Sequence, residues 1–459
     1  MGLFDTLKKS AGAKPSGAAA VLPAPAQARP TPTAAVALPL SATPGQKRSL
    51  LFVGGAEDWF DEQSRAIRNL QPNWLSCHAA TGAEALAKWA AGSFDTLILD
   101  GKSADGAKLL KTLEKELSQS ICIVRCPTLD RSTSAQWKGS GATLVAEDAD
   151  ADALVANVKR AARIHDWMAD IAIKKLISQI RKLPAQPKLH TQVTDELQSA
   201  NGSMDVVGKL ISQEPVMAAK IMQVVNSAFF GMTREISDPT ESVMVLGAER
   251  IKALILLAGV FSQYSATKCP GFSAEPIWGH SIQVGTFARA ITLAQTKNAR
   301  LAEAAFTAGL LHDIGKLVLA ANLPEMYETV QRLRISRKIT TRLAEMEILG
   351  TTHAELGACL LATWGLPLAI LEAVACHHEP GRSEQAGFSI LAAVHAANIF
   401  SQETLSGDAP RDHFDVVYFL QTGLGDCRNR WREYCGLQPQ QQEETSEEQL
   451  LRRIESKQN

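Results

Sequence analysis

The sequence has almost no net charge, because 47 lysine and arginine residues face 48 aspartate and glutamate residues. Binding to a phosphate backbone or to an anionic membrane surface needs an excess of clustered cationic side chains. The sequence also lacks an apolar run long enough to span a bilayer, and its start, MGLFDTLKKS, lacks the hydrophobic stretch of a signal peptide. We therefore expect a cytoplasmic protein that binds no nucleic acid and has no stable membrane insertion.

The eight cysteines are scattered along the chain and do not form the Cys-x-x-Cys pairs typical of zinc sites. The closest spacing, Cys122 and Cys126, falls in the strand-like run CIVRC. This usage indicates reduced, mostly buried thiols in a cytoplasmic protein. At 459 residues, with 46% hydrophobic and 21% charged residues, the chain has the composition of a globular protein of two or three domains.

The two ends of the chain differ in composition from its middle. Residues 10–46 are dominated by Ala, Pro, Ser, Thr and Gly, which bury little surface and do not sustain helices. We therefore expect a disordered, flexible arm over residues 1–48. The Gln- and Glu-rich end predicts a polar tail over residues 437–459.

Between these ends, the first part of the chain alternates short apolar runs with amphipathic stretches. The runs are SLLFVG (49–54), WLSCHA (74–79), TLILD (96–100), ICIVRC (121–126) and TLVAE (143–147). Five strand–helix repeats predict an α/β domain with a doubly wound parallel sheet over residues 49–165. In such a sheet the functional crevice lies beyond the carboxyl ends of the strands.

After about residue 164 the strand pattern stops and apolar residues fall at helical spacing. Proline and glycine mark the ends of the predicted helices. We therefore expect an all-α domain over residues 166–436, with short helices at its C-terminal end.

The stretch FDTLILDGKSADGAKLLKTL (94–113) resembles the third strand, phosphoacceptor loop and following helix of a response-regulator receiver domain, which has a flavodoxin-like fold. The resemblance implies that Asp100 stands at the phosphoacceptor position. Phosphorylation there needs Mg²⁺ held by an acidic pair after the first strand, but the sequence has Gly54 and Gly55. The fourth strand ends with Arg125 and Cys126, where receivers have Thr or Ser, and the fifth with Ala146 or Glu147, where receivers have Lys. We therefore expect a pseudo-receiver that serves as a docking or regulatory module; phosphorylation of Asp100 is the alternative.

Histidines of the helical region fall beside apolar stretches in four places. They are His280 in IWGHSIQ, His312 with Asp313 in LLHDIGK, His353 in GTTHAELGA, and His377 and His378 in ACHHEP. Imidazole and carboxylate together suit Fe, Mn or Zn, and buried charge is costly unless it is paired or bound to metal. A hydrogen-bonded polar network that ties helices together is the alternative.

The helical region resembles the HDOD family within the HD superfamily of metal-dependent phosphohydrolases, over approximately residues 176–400. The motifs that carry the resemblance are LPAQP (183–187), LISQEPVMAAKIMQVVNSAFFG (210–231), VMVLGAERI (243–251), AFTAGLLHDIGKLVL (305–319), HAELGACLLATWGLP (353–367) and HHEP (377–380).

From catalytic relatives, the resemblance implies a set of metal ligands. These are His280, His312, Asp313, His353, His377, His378 and, as the best match to a later aspartate, Asn398. Asn398 is neutral and a poorer ligand, so His395, one turn earlier, is a candidate to compensate. If the protein is a hydrolase, Lys316 matches a lysine that faces the substrate phosphate in HD-type cyclic-dinucleotide phosphodiesterases.

Both candidate sites lack charged groups that their chemistry needs. We therefore expect a bacterial-type signal-transduction protein that acts by binding other signalling proteins rather than by catalysis, and homo-oligomerisation stays open. The alternative is a metal-dependent phosphohydrolase acting on a nucleotide or cyclic dinucleotide. Fold resemblance does not decide between them, because function resides in the site.

Overall fold

The computed structural model describes residues 47–439 apart from 93, 104, 114–119, 128–136, 138–141, 181–182, 200, 228–233, 265–268, 271, 384, 386 and 405–411. Almost all of the expected arm (1–48) and tail (437–459), and the end of the NSAFFG motif, lie outside these residues.

A five-stranded parallel sheet forms the first part of the described chain. Its strands are β1 (Arg48–Val53), β2 (Trp74–Ala79), β3 (Thr96–Asp100), β4 (Ile121–Cys126) and β5 (Thr143–Ala146). The strand order is β2-β1-β3-β4-β5, the doubly wound order of flavodoxin-like sheets. The expected α/β fold is therefore confirmed, with strand bounds within one residue of the apolar runs.

Helices cover both faces of this sheet. They are α1 (Glu57–Leu70), α2 (Gly82–Ala91), α3 (Gly106–Thr112) and α4 (Ala151–Ala169). Alternate residues of β1 enter two separate cores: Leu50 and Phe52 pack on one face, and Leu51 and Val53 on the other. Because both faces are buried, the inner strands β1, β3 and β4 read as nearly continuous apolar runs, as parallel sheets do.

The rest of the described chain is helical apart from one short 3₁₀ turn at Pro380–Arg382. The first helices are α5 (Ile171–Gln179), α6 (Lys188–Gln198), α7 (Met204–Ser212), α8 (Pro215–Val225), α9 (Pro239–Leu246), α10 (Ala248–Tyr264), α11 (Glu275–Thr296) and α12 (Ala299–Leu311). They are followed by α13 (Ile314–Asn322), α14 (Pro324–Arg337), α15 (Thr341–Leu349), α16 (His353–Thr363), α17 (Leu368–Cys376), α18 (Ile390–Thr404), α19 (Val416–Gln421) and α20 (Cys427–Tyr434).

Helices α12 and α13 form the centre of the helical region. Together they make a 24-residue stretch, Ala299–Asn322, that is long and apolar enough to cross a membrane by length and composition. Of its apolar window, 78% is buried inside the protein. Helices α11 and α18 pack against α12, as Gly285 and Gly309 allow a close approach of α11 to α12. Such burial is typical of helices in the core of a protein.

Helix α4 connects the sheet to the helical region physically. It packs against α17, and Leu368 of α17 lies against the apolar core on one face of the sheet. Glu372 of α17, with 2% of its side chain exposed, binds Arg160 Nε and Arg163 Nη2 of α4, each at 2.7 Å. The expected domain boundary at residue 165 therefore falls inside a helix that belongs to both regions.

Candidate metal centre

The His-Asp pair forms the corner between α12 and α13. His312 ends α12, and Asp313 precedes the first residue of α13. His312 Nδ1 lies 2.7 Å from the carbonyl oxygen of Gly309, which can only accept, so Nδ1 carries the proton and Nε2 offers an unprotonated lone pair. Both side chains are buried. The helix corner thus directs one imidazole nitrogen and one carboxylate into the core.

A first donor group lies on one side of Asp313. It consists of His280 on α11, His312 and Asp313. His280 Nε2 lies 3.2 Å from His312 Nε2, and Asp313 Oδ2 lies 3.4 Å from His312 Nε2. Asn398 Oδ1 on α18 lies 3.0 Å from His280 Nε2. Four of the expected ligands therefore meet here.

A second donor group lies on the other side of the same carboxylate. It consists of Asp313, His353, His377 and His378. Asp313 Oδ1 lies 3.1 Å from His353 Nε2 and 3.8 Å from His377 Nε2, and His378 Nε2 lies 3.0 Å from His353 Nε2. The two oxygens of Asp313 thus face two different donor groups. All seven residues expected as ligands come together.

Local structure fixes where His353 enters this cluster. Thr352 and Glu355 form a capping box at the start of α16, which makes His353 the first residue of that helix. Gly315 of α13 lies so close to α16 that a Cβ there would be 2.0 Å from the His353 carbonyl oxygen. A residue without a side chain is required for this approach, and it brings Asp313 within reach of His353.

Each of the five imidazoles has its Nδ1 against an oxygen. His353 Nδ1 lies 2.6 Å from Glu345 Oε2, His377 Nδ1 lies 2.7 Å from the Val374 carbonyl oxygen, and His378 Nδ1 lies 2.7 Å from Asp412 Oδ2. His280 Nδ1 lies 2.8 Å from Ser401 Oγ, whose proton goes to Gln283. With His312, all five Nε2 atoms therefore face the interior of the cluster.

The sequence did not indicate Glu345 or Asp412. Glu345 on α15 also accepts the backbone N–H of His353 at 2.9 Å, and its side chain is fully buried. The sequence TRLAEMEIL does not distinguish this buried glutamate from Glu347, which is exposed. Asp412 lies in the loop between α18 and α19, where the sequence has no periodicity to interpret.

The protonation states follow from burial and from the shared carboxylate. Burial lowers the pKa of His312 to about 3 although Asp313 opposes this, and burial with neighbouring imidazoles puts the pKa of His377 well below its usual value. Burial alone would raise the pKa of Asp313, but His312, Lys316 and His353 hold it well below its ordinary range. At neutral pH His312 and His377 are therefore neutral imidazoles beside the ionised carboxylate of Asp313.

His353 and Lys316 supply positive charge next to the Asp313 carboxylate. Burial lowers the pKa of His353, but Glu345 and Asp313 outweigh it and raise the pKa above the ordinary value. Lys316 Nζ lies 2.7 Å from Asp313 Oδ2, and 18% of the Lys316 side chain is exposed. Lys316 thus lies beside the shared carboxylate, and its expected contact with a substrate phosphate stays a prediction.

His395 does not compensate for Asn398, contrary to the expectation from its position one turn earlier on α18. Its Nδ1 donates to the His377 carbonyl oxygen at 2.8 Å, and its Nε2 accepts the Asp415 N–H at 3.1 Å. Both ring nitrogens are hydrogen-bonded to backbone groups, so His395 has no lone pair available to bind a metal ion.

In the α/β region, Asp100 lies at the carboxyl end of β3, as the sequence predicts. Gly54 and Gly55 adopt positive φ values of 75° and 78°, and a Cβ on Gly55 would lie 3.4 Å from Asp100 Oδ2. Arg125, opposite Asp100 in the β3–β4 register, stacks on Trp59 at 3.5 Å. A carboxylate pair is thus absent from the two positions beside Asp100, and their backbone is one that L-residues rarely adopt.

Comparison with known proteins identifies one domain family. Residues 183–380 match the HDOD domain family, so this part of the chain is an HDOD domain. The match contains the two donor groups but ends before Asn398 and Asp412.

Individual proteins and solved structures match this chain at low sequence identity. An uncharacterized protein of Treponema pallidum (strain Nichols) is 24% identical over 235 residues, which are 51% of this chain and 45% of that protein. The chain thus spans less than half the length of this curated relative. A crystal structure of an HDOD domain protein with unknown function from Geobacter sulfurreducens has a TM-score of 0.47 and 23% identity, covering 62% of this chain and 93% of its own. A protein of Marinobacter aquaeolei VT8, provisionally named for signal transduction, has a TM-score of 0.45 and 18% identity, covering 72% and 82%.

Proposed function

We propose that this is a cytoplasmic signalling protein whose HDOD domain is built around a buried divalent metal centre and acts by binding other signalling proteins. The observation that carries the metal assignment is the common orientation of the five imidazoles, each with Nδ1 against an oxygen and Nε2 directed inward. Histidine ligands of metals are held in this way by their outer partners.

The donor set fits the metal chemically. His377 Nε2 is buried and has no hydrogen-bond partner among the described residues, which is costly for a polar atom unless an ion or water satisfies it. Five imidazoles and one carboxylate suit Fe, Mn or Zn better than Mg or Ca, which prefer oxygen. His280, His312 and Asp313 would hold one ion, and Asp313, His353, His377 and His378 a second.

Burial of the cluster favours a structural role of the metal over turnover. The side chains of His312, His353 and His377 are fully buried, and Lys316 occupies one oxygen of Asp313. Asn398 offers an amide where catalytic relatives place a carboxylate. A phosphate ester must reach the ion directly, so an enclosed centre with fewer anionic ligands is better suited to holding the helices in one arrangement.

A metal-dependent phosphohydrolase acting on a nucleotide or cyclic dinucleotide is the second candidate. The observation that favours it is Lys316, a partly exposed cation beside the shared carboxylate, where it could contact a substrate phosphate. A bound divalent ion would supply Lewis-acid polarisation and a water of lowered pKa.

Metal analysis tests the proposal. Protein purified without chelators is expected to contain at least one equivalent of Fe, Mn or Zn per chain by elemental analysis. His377→Ala should lower that content severalfold, because it removes the unpartnered Nε2 of the second donor group. His165→Ala, which removes a half-exposed histidine of α4, should leave it unchanged. Metal-free wild type would refute the centre, whereas phosphodiester cleavage at enzymatic rates by loaded protein would favour the hydrolase.

For the α/β region we propose a docking or regulatory role without phosphorylation, as in a pseudo-receiver. The support is that Gly54 and Gly55 take the positions next to Asp100 where carboxylates would hold Mg²⁺. Incubation with acetyl phosphate and Mg²⁺ is therefore expected to give no phosphoryl adduct by intact mass, with an active receiver domain as the positive control. An adduct that disappears in Asp100→Asn would contradict this role.

A further inference from the structure

The loop before α19 brings an unassigned carboxylate to the second donor group. Asp412 Oδ2 lies 2.7 Å from His378 Nδ1, and His378 Nε2 lies 3.0 Å from His353 Nε2. The Asp412 side chain is 14% exposed, so it is largely shielded from water by its neighbours. The imidazole of His378 therefore lies between the Asp412 carboxylate and His353.

A glutamine couples Asp412 to Asn398. Gln402 lies one turn after Asn398 on α18, and its Nε2 is 3.1 Å from Asn398 Oδ1 and 3.4 Å from Asp412 Oδ2. Its Oε1 accepts the backbone N–H of Asp412 at 3.1 Å. The side chain of Gln402 thus holds the loop acid beside the helix position at which catalytic relatives carry an acid.

We propose that Asp412 is a positioning residue of the metal centre: it orients His378 and supplies, from the loop, the negative charge that Asn398 does not provide. The inference rests on the proposed metal centre. A carboxylate that accepts a hydrogen bond from Nδ1 fixes the ring and makes Nε2 a stronger ligand. Asp412 Oδ2 is close enough to His378 Nδ1 for this bond, although the ring is not aligned to form it in the structure. Glu345 Oε2, which lies 2.6 Å from His353 Nδ1, has the same relation to His353.

The first test measures Zn²⁺ affinity by equilibrium dialysis and elemental analysis of the full chain. Asp412→Asn is expected to weaken Zn²⁺ binding by about 10- to 100-fold, the usual effect of losing an outer carboxylate. Asp415→Asn is the matched control, because it removes the same charge from the same loop and asparagine still caps α19. It should bind Zn²⁺ as wild type does.

A rescue variant separates charge from loop structure. Asn398→Asp in the Asp412→Asn background is expected to recover much of the lost affinity, because it returns the carboxylate to the helix. A purely structural role of Asp412 would not respond to a charge placed on α18. Gln402→Ala, which frees the loop without changing any charge, should give a smaller loss and serves as the second variant if Asp412→Asn does not fold.

The outcomes are distinguishable. Asp412→Asn that binds Zn²⁺ like Asp415→Asn, or a double variant without recovery, would overturn the role of Asp412 while the metal centre stands. Wild type that binds no Zn²⁺ would overturn the centre and this inference with it.

Discussion

Asp313→Ala is expected to abolish metal binding by both donor groups at once. Asp313 Oδ2 faces His280 and His312, and Oδ1 faces His353 and His377. Loss of a single histidine weakens one group, but loss of this shared carboxylate removes the anionic ligand from both. We expect the affinity for Zn²⁺ to fall by about 100-fold or more, beyond the range for outer partners.

The same variant should lose the stabilisation that metal gives to the folded state. At a free metal concentration about 1,000 times the dissociation constant, binding stabilises wild type by about 4 kcal/mol. Thermal unfolding with and without Zn²⁺ measures this difference, which should be close to zero in Asp313→Ala. Asp313→Asn keeps the shape and removes only the charge, so it controls for a cavity. Equal Zn²⁺-dependent shifts in wild type and Asp313→Ala would show that the cluster is only a polar network.

Glu372→Ala is expected to destabilise the protein by about 3–5 kcal/mol, the usual cost of breaking a buried ion pair by removing one partner. Glu372 binds both Arg160 and Arg163 and also accepts hydrogen bonds from Ser383 and Gln385 at 3.0 Å. Without it, two guanidinium groups lie in a region that is mostly closed to water. Urea unfolding at pH 7 measures the difference in the free energy of unfolding.

A matched surface pair controls for the charge change. Glu347 binds Arg337 at 2.8 Å, and both side chains are largely exposed. Glu347→Ala is expected to cost less than about 1 kcal/mol, as is typical of exposed pairs. If Glu372→Ala and Glu347→Ala had similar effects, the α4–α17 contact would not depend on this ion cluster.

The contribution of Glu372 should also depend on pH. Burial raises the pKa of Glu372, but Arg160 and Arg163 outweigh it and hold the pKa below its ordinary value of 4.5. A carboxyl group whose pKa is depressed in the folded state stabilises fully above the unfolded pKa and loses this effect as pH falls through the folded pKa. The stability difference between wild type and Glu372→Gln should therefore be constant near neutrality and shrink below about pH 4.5.

Periodicity and spacing in the sequence predicted the strands and the motifs that contain the candidate ligands. The bounds of β3 and β4 coincide with apolar runs, because strands buried on both faces of a parallel sheet contain almost only apolar residues. The histidines and Asp313 could be selected because they stand in four short motifs beside apolar stretches. Their convergence on one carboxylate, by contrast, came from the family resemblance and not from spacing.

Contacts between distant parts of the chain had no local signal. Arg163 and Glu372 are 209 residues apart, and neither lies in a motif. Asp412 lies in a loop, and Gln402 looks like an ordinary polar helix residue. The expectation for His395 was wrong because helical phase places a residue on a face but does not show which backbone groups already occupy its ring.

The contact between α4 and α17 has a practical consequence for where the molecule can be cut. A fragment that starts at residue 183, where the HDOD match begins, would keep Glu372 and lose both of its arginines. It would also uncover Leu368, which packs against the core of the sheet. The smallest fragment that can be expected to fold by itself therefore starts no later than α4. The segment that matches the family is thus shorter than the segment that folds.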